Sequence, residues 1–359
     1  MLISNLATLV VGLSCSAVHV DVYTSGSDGY DTFRIPAIVA TNSGTLLAFA
    51  EGRVASSGDA GDIDLVLKRS HDGGATWGPL QVVWDDKANT CGNPCPVVDQ
   101  TTGTVHLLMT RNLGTDREAQ IIDGTSKGTR TVWVSSSTDT GEHWTTPREI
   151  TATAKEPSWT WYATGPGNGI QLRSGTLVVP CDHIEAKTKK YFSHVLLSND
   201  HGRTWHLGGT TPSDMVNECA VAQLFDGSLL LNMRNYDRSK HARVLSRSTD
   251  AGATWSALNH HQSLPEPICQ ASMIALNNGE ILVFSNPASP DARVAMRVRQ
   301  SADGGKSWSN GTLLHEGPSA YSSLVSMPDD TVGCLYECGE NHPYERIRFE
   351  RIPLKLTAQ

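Results

Sequence analysis

Three arginines stand where a cation has little reason to be. Arg34 opens a strand-like stretch between Phe33 and Ile35-Pro36. Arg234 follows the apolar run Leu229–Met233, and Arg293 follows Phe284-Ser285-Asn286-Pro287-Ala288 in a short polar stretch. Any one of them alone reads as an arginine on a solvated loop. A guanidinium, however, keeps its charge and offers a planar fork of donors that fits a carboxylate bidentately. Three of them at one point would clamp a single carboxylate. Since 200 and 59 residues separate them along the chain, only the fold can bring them together.

The elements able to do so announce themselves in a repeat. The pattern S-x-D-x-G-x-x-W occurs five times, at Ser70–Trp77, Ser137–Trp144, Ser198–Trp205, Ser248–Trp255 and Ser301–Trp308, with starts 67, 61, 50 and 53 residues apart. Self-similarity at such a period marks stacked supersecondary units, each of which buries its apolar face on its neighbours. Within each copy the Asp accepts hydrogen bonds from its own turn, the Gly permits a positive φ, and the Trp folds back to bury a large ring. Asp72, Asp139, Asp200, Asp250 and Asp303 therefore read as structural, because function sits on one site and not on five equivalent ones.

Between the repeats, short alternating or apolar runs predict strands at Thr45–Ala50, Ile63–Lys68, Thr104–Met109, Thr176–Pro180, Ser228–Met233 and Glu280–Phe284, with no long helical period. The implied class is all-β, a six-bladed β-propeller, since about 340 residues divided by a blade of roughly 50–60 gives six. One blade then lacks its loop. The arginines, on different blades, can meet at the propeller axis.

A net charge of −8 speaks against a nucleic-acid partner, and no stretch is apolar and long enough to span a membrane. Residues 1–17 contain an apolar run, Leu6–Leu13, without a preceding Lys or Arg. They read either as a short signal peptide or as an N-terminal strand before Val18–Tyr23, and 18–359 as one catalytic domain. The compartment follows that choice: secreted or lysosome-like if a leader is cleaved, cytoplasmic otherwise. With Cys15 in that segment, Cys91, Cys95, Cys181, Cys219, Cys269, Cys334 and Cys338 remain. The pairs Cys91/Cys95 and Cys334/Cys338 lack zinc-knuckle spacing and His companions, so buried free thiols are expected ahead of local disulfides or a metal site.

The Phe33-Arg34-Ile35-Pro36 tetrapeptide, the five Asp boxes and the arginine spacing together resemble the exo-α-sialidases, a family of six-bladed propellers, over essentially the whole chain from Val22. The resemblance implies that Arg34, Arg234 and Arg293 form the family's carboxylate-binding triad, with Arg297 and Arg299 on a blade face. It implies Tyr321 as nucleophile, Glu218 as its proton acceptor and Asp59 as acid/base. Asp62 competes with Asp59, and Asp64 begins a strand. Glu337 matches a residue that holds the first arginine, and Arg53 a basic residue near the pocket entrance. A phenol suits this chemistry, because the substrate's own carboxylate would repel an anionic nucleophile. The activity so implied is retaining hydrolysis of terminal sialic acid from glycoproteins, glycolipids or oligosaccharides, with no metal and no cofactor.

Other pocket residues are open. Trp159-Thr160-Trp161-Tyr162 offers aromatics on which a sugar could stack, or blade packing. Cys181-Asp182-His183, Asn112 and Asp116 are further candidates for the wall and mouth. A non-catalytic propeller that only binds partners, or an enzyme that transfers the sugar, are the alternatives. The first gives no reason for three Arg, a Tyr, a Glu and an acidic loop to occur together.

Overall fold

The computed structural model describes residues 19–328 and 330–354. The segment 1–17 and Cys15 lie outside them. Six four-stranded antiparallel blades follow one another in sequence. Blade one is Thr32–Ala40, Leu46–Arg53, Ile63–Ser70 and Gln81–Trp84. Blade two is Thr90–Val98, Val105–Asn112, Thr131–Ser137 and Arg148–Glu149. Blade three is Trp159–Thr164, Leu177–Glu185, Tyr191–Ser198 and His206–Thr210. Blade four is Val216–Gln223, Leu229–Asn235, Ala242–Ser248 and Asn259–Pro265. Blade five is Ser272–Leu276, Ile281–Pro287, Val294–Ser301 and the first part of the long strand Thr312–Met327. The rest of that strand opens blade six, which continues through Thr331–Cys338 and Arg346–Pro353. His19–Thr24 pairs with Arg346–Pro353 as the outer strand of blade six, so the first and last described strands share one sheet and close the ring.

The missing Asp box is explained by that closure. Each box joins the third and fourth strands of blades one to five, and in blade six those two strands are the last and first of the described chain. The boxes act between blades as well as within them. Gly74, at φ +90°, lies so close to Phe349 of blade six that a Cβ there would overlap the ring. Gly202, at φ +76°, is pressed in the same way on His106 of blade two. Trp77 meets Phe349 edge-on at 5.5 Å and Trp144 meets Phe49 of blade one at 5.7 Å, again reaching the preceding blade.

Six hydrophobic clusters fill the six junctions between neighbouring blades. The one that closes the ring joins Phe33 and Ile38 of blade one to Val22, Val325, Leu335 and Phe349 of blade six. Cys91, Cys95, Cys181, Cys219, Cys269, Cys334 and Cys338 are all free and buried, and among the described residues no cluster could hold a metal.

The inner strands are irregular at one end of the axis. In five blades the pairing of the first and second strands slips near the start of the first, across Arg34/Ala37, Gly92/Cys95, Trp159/Tyr162, Val216/Cys219 and Ser319/Ser322. Bulges of this kind turn side chains that would otherwise obey the strand's alternation.

Candidate active site

Those bulges build a cavity of about 200 Å³ at the axis. Ile35, Asn93, Trp161, Asn217, Glu218 and Tyr321 all sit in the slipped segments and all line it. Ile35 adopts φ +59°, a rare conformation for a β-branched residue, and its N–H donates to Glu337 Oε1 at 2.9 Å. This is the local reason for the Arg34-Ile35-Pro36 sequence. Pro36 offers no ladder donor, Ile35 turns the chain, and Arg34 is left facing the axis.

The three arginines do converge. Arg34, Arg234 and Arg293 line the same cavity, whereas Arg297 lies on the outside, donating to Asn310 O and Gly311 O, and Arg299 donates to Asn286 Oδ1 within blade five. Glu337, fully buried behind the cavity, takes Arg34 Nε on Oε1 at 3.2 Å and Nη2 on Oε2 at 3.4 Å. Its Oε2 also accepts Tyr321 N–H at 3.0 Å. One carboxylate thus ties the first arginine, Ile35 and Tyr321 together. Arg293 has no carboxylate partner among the described residues; it donates to Tyr344 Oη at 3.0 Å and to Ile268 O at 3.0 Å. Arg234 leaves its buried Nε without a partner. Buried donors in that state want an acceptor from outside.

Tyr321 Oη donates to Glu218 Oε1 at 2.6 Å, and Arg234 Nη1 reaches both Glu218 Oε2 at 2.6 Å and Tyr321 Oη at 3.1 Å. Burial, then the neighbouring Glu218, push the Tyr321 phenol well above its ordinary value, and the arginines only partly offset this. The resting hydroxyl is therefore protonated, with its proton aimed at the carboxylate. Asp59 forms an ion pair with Arg53 Nη1 at 2.8 Å and accepts from Arg34 Nη1 at 3.4 Å, with its side chain 59% exposed. Burial raises its affinity for a proton, but Arg53 and Arg34 outweigh burial and hold the carboxyl below its usual value.

Asp62 and Asp64 are not brought to the cavity. Asp64 accepts from Tyr30 Oη at 2.7 Å, and burial, against that hydrogen bond, pushes it up to about 6. Arg53 lines the cavity but is only 2% exposed, so it is a wall residue and not one of the entrance. Glu51 holds it at 2.6 Å, and the backbone of Ser57 accepts another of its donors. Of the aromatic run, Trp161 alone lines the cavity; Trp159 stacks on His183 at 3.5 Å and Tyr162 is core. Of Cys181-Asp182-His183 only Asp182 lines it, fully buried, with Oδ2 unpartnered and burial raising its proton affinity strongly. Asn112 and Asp116 are not in the wall. Asn112 donates to Asp116 O at 3.2 Å, and Asp116 accepts the N–H groups of Lys127 and Gly128.

Several wall residues had no place in the sequence reading: Arg130, Glu118, Asn93, Tyr236 and Tyr344. Arg130 had a usable signal. It stands immediately before the strand that feeds an Asp box, as Arg293 does, and its guanidinium lies over Trp161 at 4.0 Å. Tyr344, whose ring lies 4.0 Å from the Arg34 guanidinium, had none.

Residues 44–334 match the BNR repeat-like domain. A sialidase of Bacteroides fragilis is 33% identical, with 94% of this chain and 64% of that protein covered; the chain thus spans somewhat under two thirds of that relative. An exo-alpha-sialidase of Arthroderma benhamiae is 35% identical over 86% of this chain and 78% of its own length. The solved structure of a Hadza microbial sialidase superposes with a TM-score of 0.86 at 33% identity, covering 95% of this chain and 69% of that one. An Asp-box propeller, an arginine-lined axial cavity and likeness of this extent lead to one conclusion: the chain belongs to the sialidase family.

Proposed function

We propose that the protein is an exo-α-sialidase that cleaves terminal α-linked sialic acid from glycoconjugates with retention of anomeric configuration. The observation that carries this reading is the 2.6 Å hydrogen bond from Tyr321 Oη to Glu218, set among Arg34, Arg234 and Arg293. A carboxylate on the anomeric carbon would take the unpartnered Nε of Arg234, pair with Arg293, which has no carboxylate of its own, and draw on Arg34, which fixes that carbon over the phenol. Oη then bonds to the anomeric carbon as the glycosidic C–O bond breaks. The phenol proton passes to Glu218, and the leaving oxygen takes a proton from Asp59.

In the free site the Arg34 and Arg53 charges hold Asp59 low. A bound substrate carboxylate neutralises part of that field and the leaving group covers the exposed side chain, and both effects raise its proton affinity. In the second half, Asp59 accepts a proton from water, the water oxygen bonds to the anomeric carbon, and Tyr321 leaves and recovers its proton from Glu218. Two inversions give net retention.

Release of a fluorescent phenol from its α-ketoside of N-acetylneuraminic acid tests the activity. Proton NMR of the first-formed sugar tests the stereochemistry. Appearance of the β-anomer before mutarotation would rule out the covalent route.

A further inference from the structure

The connector 266–271 joins the last strand of blade four to the first strand of blade five, at the cavity end of the axis. None of its residues lines the cavity. Its side chains are nevertheless spent on the site, since Glu266 and Gln270 are each only 1% exposed.

Glu266 Oε1 accepts Asn235 N–H at 3.0 Å, next to Arg234. Its Oε2 accepts Cys269 N–H at 3.2 Å and Arg243 Nη1 at 3.2 Å. Arg243 is completely buried and also donates to Cys269 O at 2.7 Å and Asn232 Oδ1 at 2.7 Å. A buried ion pair gains little stability over an apolar pair of the same shape, so stability alone does not account for it. Between its two anchor points Ile268 is held at φ +54°, in the left-handed region that a β-branched residue avoids, and its carbonyl accepts Arg293 Nη2 at 3.0 Å. Gln270 pairs with the inner edge of the blade-six strand that carries Tyr321. Its Oε1 accepts Ser322 N–H at 2.9 Å, and its Nε2 donates to Ser322 O and to Pro166 O, each at 2.9 Å. Ser322 directly follows Tyr321.

We propose that this connector is the positioning element of the site. Glu266, locked by Arg243, sets Arg234 and Arg293 to receive the substrate carboxylate, and Gln270 sets Tyr321 for attack. The assignment rests on the sialidase reading above and extends it to residues that never touch substrate. Reacting groups must be held within about 0.5 Å. A displacement of the Tyr321 backbone therefore acts on the chemical step, and a displacement of the arginines acts on binding.

The test compares Gln270→Met, Glu266→Gln and Ile268→Gly with wild type. It reads kcat and KM per folded molecule on the aryl ketoside, and by calorimetry the Kd of DANA, the inhibitor bound in a solved Trypanosoma rangeli sialidase. Gln270→Met is expected to lose about 10²-fold in kcat with little change in the Kd of DANA. Glu266→Gln and Ile268→Gly are expected to weaken DANA about tenfold, with KM rising in parallel. Ile268→Gly removes no side-chain hydrogen bond, so it carries the binding arm if Glu266→Gln does not fold. Folded variants that keep kcat and KM within about twofold of wild type, or that all lose kcat alone in equal measure, would overturn the proposal. An inactive wild type would instead count against the sialidase reading, and the ratios of DANA affinities would still report on the connector.

Discussion

Two rings of carboxylates occupy opposite ends of this propeller and do opposite things with the same chemistry. At the outer rim, Asp72 accepts the Thr76 hydroxyl, the Thr76 N–H and the Ser70 hydroxyl, which hold it down at about 2, and Asp250 repeats the arrangement with Thr254 and Ser248. Every rim carboxylate is bonded within its own turn. At the axis the partners vary: Glu337 and Glu266 each take an arginine and two backbone N–H groups, Glu218 takes a phenol and Arg234, and Asp59 faces two guanidinium groups near solvent. The rim is equivalent from blade to blade because it does the one job of stacking. The axis is unequal because the proposed substrate, with a carboxylate at one end and a leaving group at another, is not sixfold. The difference teaches that, in a repeat protein, departure from the repeat marks the site.

That contrast can be broken most sharply at Tyr321. Tyr321→Phe removes one hydroxyl from a buried ring and is expected to lower kcat by about 10³-fold or more with an unchanged melting temperature. Appreciable turnover would mean that the Tyr321–Glu218 pair is not the nucleophilic unit. Next, Arg34→Ala should reduce kcat/KM by at least about 10²-fold, while Arg297→Ala, outside the cavity, leaves it near wild type; comparable losses would dissolve the distinction between axis and blade face. Asp59→Asn should cost natural sialosides about 10²–10⁴-fold and an activated aryl ketoside far less. Equal losses on both would remove its role as acid.

The smallest effect belongs to the rim. Asp303→Ala should lower stability by about 1–2 kcal/mol and leave turnover per folded molecule intact, as read by a thermal melt beside an active-fraction assay. The pH dependence has a definite sign. Asp303 is lowered from 3.8 to about 2, burial being outweighed by hydrogen bonds from Ser307 and Ser301, so its contribution is complete above about pH 4 and fades as pH falls through about 2. The variant's deficit relative to wild type should shrink over that interval. A deficit constant from pH 5 to pH 2 would show that Asp303 acts through packing and not through its charge.

The second strands of the blades could be read to within one residue at their starts, though each runs two to five residues further than expected. Thr104–Met109 became Val105–Asn112, and Ser228–Met233 became Leu229–Asn235, because these strands are regular and start after a tight turn. The inner strands could not. Thr90–Val98 contains Gly92-Asn93-Pro94-Cys95-Pro96, which defeats any period-two pattern, and Thr32–Ala40 is broken by the Ile35-Pro36 bulge. These irregular strands carry much of the site, so the site was visible through unusual residue types and family likeness and not through periodicity. Asn93 and Tyr344 escaped because their partners, Arg130 and Arg34, lie far from them in sequence.

From the residues alone came the all-β class, the repeated staple and the number of blades, whereas the three arginines were picked out by their unusual settings together with family likeness. The first three follow from local composition and spacing, which a turn or a strand expresses wherever it lies. Only the tertiary structure decided that Asp59 and not Asp62 faces the cavity, that Arg53 is a buried wall residue, and that Glu266 and Gln270 serve Arg293 and Tyr321. Those are relations across blades, set by where the bulges aim each side chain once the ring has closed.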